Sequence, residues 1–525
     1  MALGVALLIT VALFQSAGAS TGSAAKVDAV AAATSGSVKP EGALQRSTIS
    51  RQEQEALLLR HLENREKAAG RSRASSGGGP AKQAAPPVGP TGRRDDSASE
   101  ALLVRRNQRN TQASQVSSTL AEPAAANEGF SVHYTGNTYA SFSNDAGGTW
   151  TGIGLPAGPT DAPDACCDQD VVRAHSRDRI FSILLYTNSA QTNGGVRIFV
   201  RDAPDVAPMC TYYIDPAGTA DNIVPDYPHI GVTSNFLYLT LNNRQNGANW
   251  VGSQVRRFNL TQMSNCQTTS FNTFTHTGSV GQRVFTPIEG AQNTTTMYWA
   301  AIETTSSLRL FRWAESTTTI DQFVRSVSHS SSFTNPDCRG GTGNFDFIER
   351  DTSWSAAGFR MRGARHGSRL TWFWNVGADA THVQGHVHAA SFRESDLTRL
   401  EEPHIFNQSF CFGYPVVGGN VFGDLGISIA AGGRSGGGGD PGEGYVGVDD
   451  TPADPIFFGT VSLTADGTHN RADSRYGDYF TVRPNARCQA AYVGTNYSLL
   501  NGNTTPAHVN TRYVEFGSTL DAGCF

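Results

Sequence analysis

Acidic residues stand at or just before several short apolar segments of the chain, where their carboxylates could meet. They are Asp168 and Asp170, Asp226, Asp424 and Asp478. Converging carboxylates could bind Ca²⁺, which prefers hard oxygen ligands. They could also act as paired acid and base on a glycosidic bond, if neighbouring groups raise the pKa of one of them. The alternative is structural, because Asp before a strand often accepts backbone N–H bonds in a turn.

Basic and aromatic residues accompany these carboxylates. Arg475 and Tyr479 flank Asp478, His229 follows Asp226, and Glu289 lies in a comparable segment. The sequence therefore offers two candidate groups for one site. The catalytic candidates are Asp478, Asp424, Asp226, Tyr479 and Arg475, and the ligand-binding candidates are Asp168, Asp170, His229 and Glu289.

A histidine cluster suggests a different chemistry. His382, His386 and His388 have the spacing H-x3-H-x-H. On a strand, His386 and His388 point to the same face, and such a pair can bind zinc. The alternative is that this strand lies at the outside of its sheet and shows polar residues to solvent. No cysteine pair has C-x-x-C spacing, so no second zinc motif accompanies the histidines.

The elements that would position these residues are short strands with alternating apolar residues, separated by Gly, Asn and Asp. The pattern repeats roughly every 55–65 residues, a period typical of a β-propeller. The candidate inner strands number six, and the hairpin of residues 131–143 is interpreted as completing the last blade. The sequence thus predicts a six-bladed propeller, with seven blades as the alternative. The predicted inner strands are 170–174, 229–233, 286–290, 355–360, 425–430 and 479–483.

Composition divides the chain into three parts. Residues 1–19 hold a short apolar run and an Ala-Gly-Ala site, which together predict a signal peptide. Residues 20–125 are rich in Ala, Ser, Gly and Arg and nearly lack aromatic residues, so we expect a mostly disordered spacer or pro-segment. Residues 126–525 would form the propeller. No later apolar stretch is long enough to span a membrane.

Cysteine usage indicates the cellular compartment, and charge and lysine content exclude some classes of function. All eight cysteines lie after residue 126, and with a secretion signal they predict disulfides in an extracellular protein. Adjacent Cys166 and Cys167 are expected to bond to distant partners rather than to each other. The chain has no lysine after Lys82, which excludes lysine chemistry from the propeller. The net charge of −5 argues against a nucleic-acid partner.

One octapeptide carries a resemblance to a known group of proteins. Residues Ser143 to Trp150 read S-N-D-A-G-G-T-W, the pattern S-x-D-x-G-x-T-W of an Asp-box (BNR repeat), in which Ser143, Asp145, Gly147, Thr149 and Trp150 would be structural. Segments 166–170, 226–232, 308–313, 423–426 and 475–479 extend the similarity. The chain resembles secreted bacterial propellers of the sialidase-like type, mostly uncharacterised, over about residues 150–517. The resemblance implies the fold and an extracellular location.

The resemblance does not extend to sialidase activity. Sialidases carry an early Arg-Ile-Pro motif and three arginines that hold the sialate carboxylate, and no Arg-Ile-Pro occurs here. The favoured function is a carbohydrate-binding or adhesion module, in which exposed aromatic residues would stack on a glycan. The alternatives are an extracellular glycoside hydrolase or lyase that uses the carboxylates, and a structural surface protein. The aromatic candidates are Trp250, Trp299, Trp313, Trp354, Trp372 and Trp374, which could equally pack in the core.

Overall fold

The structure is a computed structural model of the chain. It describes residues 27–42, 102–112, 120–202, 205–216, 222–277, 284–328, 337–348, 361–449, 455–472, 476–500 and 509–519. The predicted signal peptide at 1–19, the predicted inner strand at 355–360, Trp354 and Arg475 lie outside the described residues.

The described residues form 32 strands and one short α-helix. The strands before residue 220 are β1 (Ala29–Ala32), β2 (Thr34–Val38), β3 (Leu102–Arg109), β4 (Ala124–Glu128), β5 (Ser131–Gly136), β6 (Tyr139–Ser143), β7 (Thr151–Ile153), β8 (Asp164–Ala174), β9 (Arg179–Thr187), β10 (Gly194–Asp202) and β11 (Cys210–Ile214). The next are β12 (Ile223–Val232), β13 (Phe236–Gln245), β14 (Asn249–Asn259), helix α1 (Leu260–Ser264), β15 (Thr269–His276), β16 (Thr296–Thr304), β17 (Ser307–Ala314), β18 (Thr319–Ser326), β19 (Arg339–Gly340) and β20 (Phe345–Asp346). The last are β21 (Arg362–His366), β22 (Arg369–Val376), β23 (His386–Arg393), β24 (Arg399–Glu401), β25 (His404–Ile405), β26 (Cys411–Gly419), β27 (Leu425–Gly432), β28 (Glu443–Asp449), β29 (Val461–Ala465), β30 (Val482–Asn485), β31 (Cys488–Asn496) and β32 (Arg512–Ser518).

These strands make seven antiparallel sheets of four or five strands, the blades of a propeller, beside the small hairpin β19–β20. In chain order the blades are blade 1 (β4–β7), blade 2 (β8–β11), blade 3 (β12–β15 with β2), blade 4 (β16–β18 with β1), blade 5 (β21–β25), blade 6 (β26–β29) and blade 7 (β30–β32 with β3). The all-β propeller is confirmed, and the seven-bladed alternative is correct.

The prediction of six blades was wrong because the 131–143 hairpin belongs to a blade of its own. Its inner strand is β4, with the register Ala125 to Tyr134. That strand is mostly alanine, so it shows no apolar alternation and gives no strand signal in the sequence. Two predicted inner strands also differ. Residues 425–430 lie in β27, the second strand of blade 6, and residues 286–290 are extended without forming a regular strand.

The segment 20–125 was expected to be mostly disordered, which stays a prediction, but its described residues include three strands. Strand β1 pairs with β18, β2 pairs with β15, and β3 pairs with β32, so each completes the outer edge of a blade. Strand β3 closes the ring. It lies just before blade 1 in sequence but pairs with β32, so blade 7 combines a strand from before the first blade with the last strands of the chain. A polar strand suffices here, since an outer edge needs backbone hydrogen bonds more than apolar side chains.

Aromatic side chains fill the space between blades. Trp299 and Trp313 of blade 4 and Trp372 and Trp374 of blade 5 are fully buried. Trp299 stacks on Phe311 with ring centroids 5.2 Å apart. Large aromatic rings bury more apolar area than other side chains and gain further from such geometry. These four candidate tryptophans are therefore core residues, whereas Trp250 in β14 is half-buried and its indole N–H donates to the Ser253 hydroxyl at 3.2 Å.

Disulfides link the described cysteines, including a pair that sequence reasoning excluded. Cys166 and Cys167 are bonded to each other in β8. The expectation of distant partners was wrong, because a distorted stretch of β8 brings the two adjacent sulfurs together at shifts in its register with β9. Two further bonds, Cys210–Cys266 and Cys338–Cys411, cross-link blades 2 and 3 and tie blade 6 to the segment before hairpin β19–β20.

The octapeptide of residues 143–150 forms the turn between β6 and β7. The Asp145 carboxylate accepts the Thr149 N–H at 2.8 Å and the Thr149 hydroxyl at 2.9 Å. Gly147 adopts a left-handed φ of 85°, which suits glycine. Beneath the turn, Trp150 packs edge-on against Tyr134. The turn therefore stabilises the hairpin locally, as these residue types favour, and its assignment to the Asp-box group stays a prediction.

Candidate functional site

Distortions of the inner strands bring backbone N–H groups of one blade to side chains of the preceding blade. Asp168, Tyr227 and Tyr414 have left-handed φ values of 51°, 55° and 53° at irregularities of β8, β12 and β26. A side chain of a neighbouring or preceding blade holds each N–H at 2.9 Å: Asn137 for Asp168, Asp168 for Tyr227 and Asn375 for Tyr414. Such bulges turn a strand locally and re-aim its side chains. The blades are thereby registered against one another around the channel.

Five blades contribute to one group of buried side chains, which we call the channel cluster. Its members are Asp170 (blade 2), Tyr227 and His229 (blade 3), Glu289 (the segment before β16 of blade 4), Arg362 (blade 5), and Tyr479 and Arg483 (blade 7). Three of the four ligand-binding candidates, Asp170, His229 and Glu289, lie in this cluster, and their role in binding stays a prediction. Arg362 and Arg483 were not among the candidates.

Arg483 is the centre of the channel cluster. One terminal nitrogen of its guanidinium, Nη2, donates to Asp170 Oδ1 at 2.8 Å, and the other, Nη1, contacts Glu289 Oε1. Its Nε donates to the Val171 carbonyl at 3.0 Å. The two carboxylates thus sit on one planar fork, a geometry that arginine favours.

The environment separates the pKa values of the two carboxyls. Burial alone would raise the pKa of Asp170, but Arg483, His229 and the Ile230 N–H favour its charged form and hold the pKa at about 2. For Glu289, burial outweighs the opposing effect of Arg483, and the nearby Asp170 charge adds to it, so the pKa rises to about 7. At neutral pH Asp170 is ionised, while Glu289 holds a proton for much of the time. Such a divergence is typical of acid–base sites.

His229 and Tyr479 also belong to the channel cluster, and burial favours the neutral form of both side chains. Burial, with the charge of Arg362, lowers the pKa of His229 to about 3. Its ring stacks on Tyr479 at 4.4 Å, and the Tyr479 hydroxyl donates to the Pro228 carbonyl at 3.0 Å. Burial raises the pKa of Tyr479 well above its ordinary value. Tyr479 therefore serves as a neutral wall of the cluster, not as a base.

Two buried polar atoms of the cluster have no hydrogen-bond partner among the residues that the structure describes. They are Nη1 of Arg362 and Nε2 of His229; a third atom, Nη1 of Arg483, forms no hydrogen bond either but contacts the Glu289 carboxyl. Arg362 lies over the Tyr227 ring at 5.2 Å and donates its other terminal nitrogen to the Asp478 carbonyl at 2.6 Å. Most buried polar atoms in proteins are satisfied. The exceptions here could bond to a water molecule or another small polar group.

A pocket opens to solvent where the inner strands end. It is a small, partly open pocket. Its polar wall includes Glu289, Arg483, Arg173, His175 and Gln292, and its apolar wall includes Val172, Val232 and Ile288. Glu289 is thus both a member of the channel cluster and a residue of the pocket wall.

The other predicted acids make contacts that hold the fold together, and their catalytic role stays a prediction. Asp226 is completely buried and pairs with Arg244 of the same blade at 2.5 Å. Asp424 lies in the turn between β26 and β27, where it accepts from Asn420 at 2.7 Å. The expectation that Asp424 precedes an inner strand was wrong, because β27 is the second strand of its blade. The N–H of Asp478 donates to Glu122 Oε1 at 2.7 Å, so its backbone links blades 7 and 1.

These pairings also bear on the expected Ca²⁺ site. Among the residues described, one group of three potential metal ligands occurs, and it contains histidines only: His382, His386 and His404. The acidic candidates do not gather into a group of this kind, because Arg483, Arg244 and backbone N–H groups already engage them. His388, a sequence candidate, is not in the group. Its place is taken by His404, which sequence spacing alone did not indicate.

Comparisons with known proteins indicate fold similarity only. No protein-family model matches the sequence, and no curated protein matches it. Solved structures similar to this chain include an α-L-arabinofuranosidase of Fusarium graminearum in complex with arabinobiose (6% identity, TM-score 0.37, 79% of this chain and 97% of that chain). Others are a mutant of AofleA from Arthrobotrys oligospora (8%, 0.34, 70% and 91%) and a mutant of Trypanosoma rangeli sialidase that displays trans-sialidase activity (9%, 0.33, 64% and 57%). Similarities this low carry no argument about activity, which rests on the site itself.

Proposed function

We propose that this protein is a carbohydrate-active β-propeller that cleaves a glycosidic bond in the pocket at the end of its channel, with Glu289 as the proton donor. One observation carries the proposal. Glu289 is a carboxyl on the pocket wall with a pKa raised to about 7, and it shares Arg483 with the ionised Asp170. A carboxylic acid that stays protonated near neutral pH can protonate the leaving oxygen of a sugar.

The remaining residues of the cluster support this role by position and charge. Asp170 fixes the guanidinium of Arg483, and Arg483 in turn holds the Glu289 carboxyl at the pocket wall, so Asp170 and Arg483 are positioning residues. Arg173 adds positive charge beside the pocket, partly neutralised by Glu128 and Asp178. Protonation of the leaving oxygen is common to hydrolysis and elimination, so the proposal includes hydrolase and lyase chemistry.

A second candidate is glycan binding without cleavage, which the enclosure of Asp170 favours. Its two oxygens accept from Arg483, the Val171 N–H and the Ile230 N–H and lie 3.4 Å from His229, which leaves no open side for a substrate. The ligand would then bind through the polar pocket wall. Stacking on tryptophan gives this candidate little support, because Trp150, Trp299, Trp313, Trp372 and Trp374 are buried and Trp250 is half-buried. A structural surface protein would need neither the pocket nor the cluster.

We further propose that the protein acts outside the cell. Three disulfides among the described residues are compatible with an oxidising compartment. Among the same residues no helix is long and apolar enough to cross a membrane.

The experiment is a paired screen of the whole secreted chain. Extracellular polysaccharides and chromogenic glycosides are incubated with the protein, and new reducing ends or unsaturated sugars are measured beside binding by calorimetry. New ends from any substrate support cleavage. Saturable binding without new ends supports the second candidate. Neither cleavage nor binding across the panel would overturn both.

A further inference from the structure

A second polar site lies in blade 5, outside the channel. His382 precedes β23, His386 begins β23, and His404 begins β25, which pairs with β23. Each offers a ring nitrogen within 4.8 Å of those of the other two. His382 and His386 are buried, and His404 is half-buried, so a small ion could reach the group from one side. We call these three residues the histidine triad.

The hydrogen bonds of two members fix which nitrogen is free to bind a metal. His382 Nδ1 lies 3.0 Å from the Asp379 carboxylate, and His386 Nδ1 lies 3.2 Å from the Gln384 carbonyl. Both partners are acceptors, so both rings carry their proton on Nδ1 and present a lone pair on Nε2. Metal-binding histidines are commonly held in this way by a carboxylate or a backbone carbonyl.

The distances agree with three imidazoles around one ion. His386 Nε2 and His404 Nδ1 are 3.0 Å apart. Two nitrogens bound to a tetrahedral zinc ion lie about 3.3 Å apart, given Zn–N bonds of about 2.0–2.1 Å. A hydrogen bond between His386 and His404 would explain their contact, but it would leave His382 Nε2 buried without a partner among the described residues. A metal ion would engage all three nitrogens.

We propose that the histidine triad binds a divalent transition metal of the zinc class, with Asp379 holding the His382 ring. Three neutral imidazoles suit Zn²⁺, Co²⁺, Ni²⁺ or Cu²⁺ and not the hard cation Ca²⁺. The His382 ring lies against the His404 ring with centroids 4.5 Å apart, so binding turns it about its side-chain torsions toward the ion. His388 stacks on the other face of His404 at 4.3 Å and takes no part.

The test is metal binding by the full chain, freed of metal with a chelator and produced without a histidine tag. Titration with Zn²⁺ by calorimetry should give one site per chain, and Co²⁺ should give the visible absorption of a low-symmetry nitrogen site. In His404→Gln the Zn²⁺ affinity should fall about 100-fold. The matched control is His366→Gln, which removes a buried histidine of the same blade that bonds Thr371 and leaves the triad intact.

Melting in the absence of metal separates ligand loss from misfolding. Should His404→Gln melt far below the wild type, His382→Gln replaces it, since His382 lies outside the strands. Zn²⁺ should also raise the melting temperature of the wild type and of His366→Gln, but not of the triad variant. The proposal is wrong if the wild type binds no Zn²⁺ or Co²⁺ stoichiometrically, or if the triad variant binds as tightly as the control.

Discussion

Arg483 of blade 7 contacts Glu289, which lies in the segment leading into blade 4, so the ion contact joins well-separated parts of the ring. The same guanidinium holds Asp170 of blade 2. One side chain therefore connects three blades through the channel. This arrangement couples the stability of the ring to the geometry of the pocket, since Glu289 belongs to both.

Removing Arg483 should destabilise the protein strongly. Arg483→Met leaves the buried Asp170 carboxylate without its cation, and breaking a buried pair in this way costs about 3–5 kcal/mol. Urea unfolding at pH 7 measures the loss. The control is Arg393→Ala, which breaks an exposed pair with Asp396 and should change the free energy of unfolding by less than about 1 kcal/mol. Similar losses in both variants would contradict the central role of Arg483.

The raised pKa of Glu289 should make folding weaker as the pH rises. A carboxyl with a folded pKa of about 7 and an ordinary value of 4.5 stabilises the fold fully below pH 4.5, and this contribution is lost through pH 7. Between pH 5 and 8 the wild type should lose up to about 3 kcal/mol more than Glu289→Gln, which cannot ionise. Urea unfolding at several pH values measures this, and parallel profiles would refute the raised pKa.

Asp170 predicts the opposite dependence at acid pH. Its pKa of about 2 lies below the ordinary 3.8, so its contribution is present above about pH 4 and lost as the pH falls toward 2. The difference corresponds to about 2 kcal/mol. Acid unfolding of Asp170→Asn should lack this step, although the variant is less stable at pH 7. If Asp170→Asn lost as much stability on acidification as the wild type, acid unfolding would be due to other groups.

Strand β3 should be needed to close the ring. A chain that begins at residue 95 keeps β3, whereas a chain that begins at residue 112 exposes the edge of β32. Unpaired edges favour aggregation. Both chains lack β1 and β2, so they differ only in the edge of β32. We expect the shorter chain to aggregate more readily or to melt at a clearly lower temperature than the longer one, as measured by size-exclusion chromatography and calorimetry. Equal behaviour of the two would show that blade 7 is stable without β3.

The turn at Asp145 should contribute modestly to stability. Asp145→Ala removes the acceptor for the Thr149 N–H and hydroxyl, and the net loss should be about 1 kcal/mol because the turn is exposed. Asp178→Ala is the control, since Asp178 is an exposed acid with a single ion pair to Arg173. Thermal unfolding compares the two. An unchanged melting temperature for Asp145→Ala would mean that Trp150 packing alone maintains the turn.

Alternating apolar residues were enough to predict an all-β propeller, but the number of blades was not predictable from them. Strand β4 begins Ala-Ala-Ala and lacks the alternation. Of the edge strands, β1 is Ala-Val-Ala-Ala, β2 is mostly small and polar, and β3 changes from apolar to polar halfway. Their stability comes from backbone pairing with a blade formed elsewhere in the chain. Such pairing leaves little trace in local sequence.

The candidate site was predictable in part, for a similar reason. Asp170, His229 and Glu289 were found because acids near inner strands converge in a propeller. Arg483 was not predicted as a site residue, although a charged residue between Val482 and Pro484 in an inner strand indicates a buried partner. Asp226 has the sequence position of a site residue, but it forms a buried ion pair with Arg244 on the adjacent strand. Pairing across strands decides which acids are free to act, and sequence order does not reveal it.

The most direct test of the central claim is the activity of Glu289→Gln on the substrate that the screen identifies. Glu303→Gln is the control, because Glu303 pairs with Arg309 in blade 4, away from the pocket. We expect Glu289→Gln to lose about 10²–10⁴-fold in kcat while still binding the glycan, and wild-type activity to fall above pH 7 as Glu289 ionises. Cleavage by Glu289→Gln at the wild-type rate would contradict the assignment of Glu289 as the proton donor.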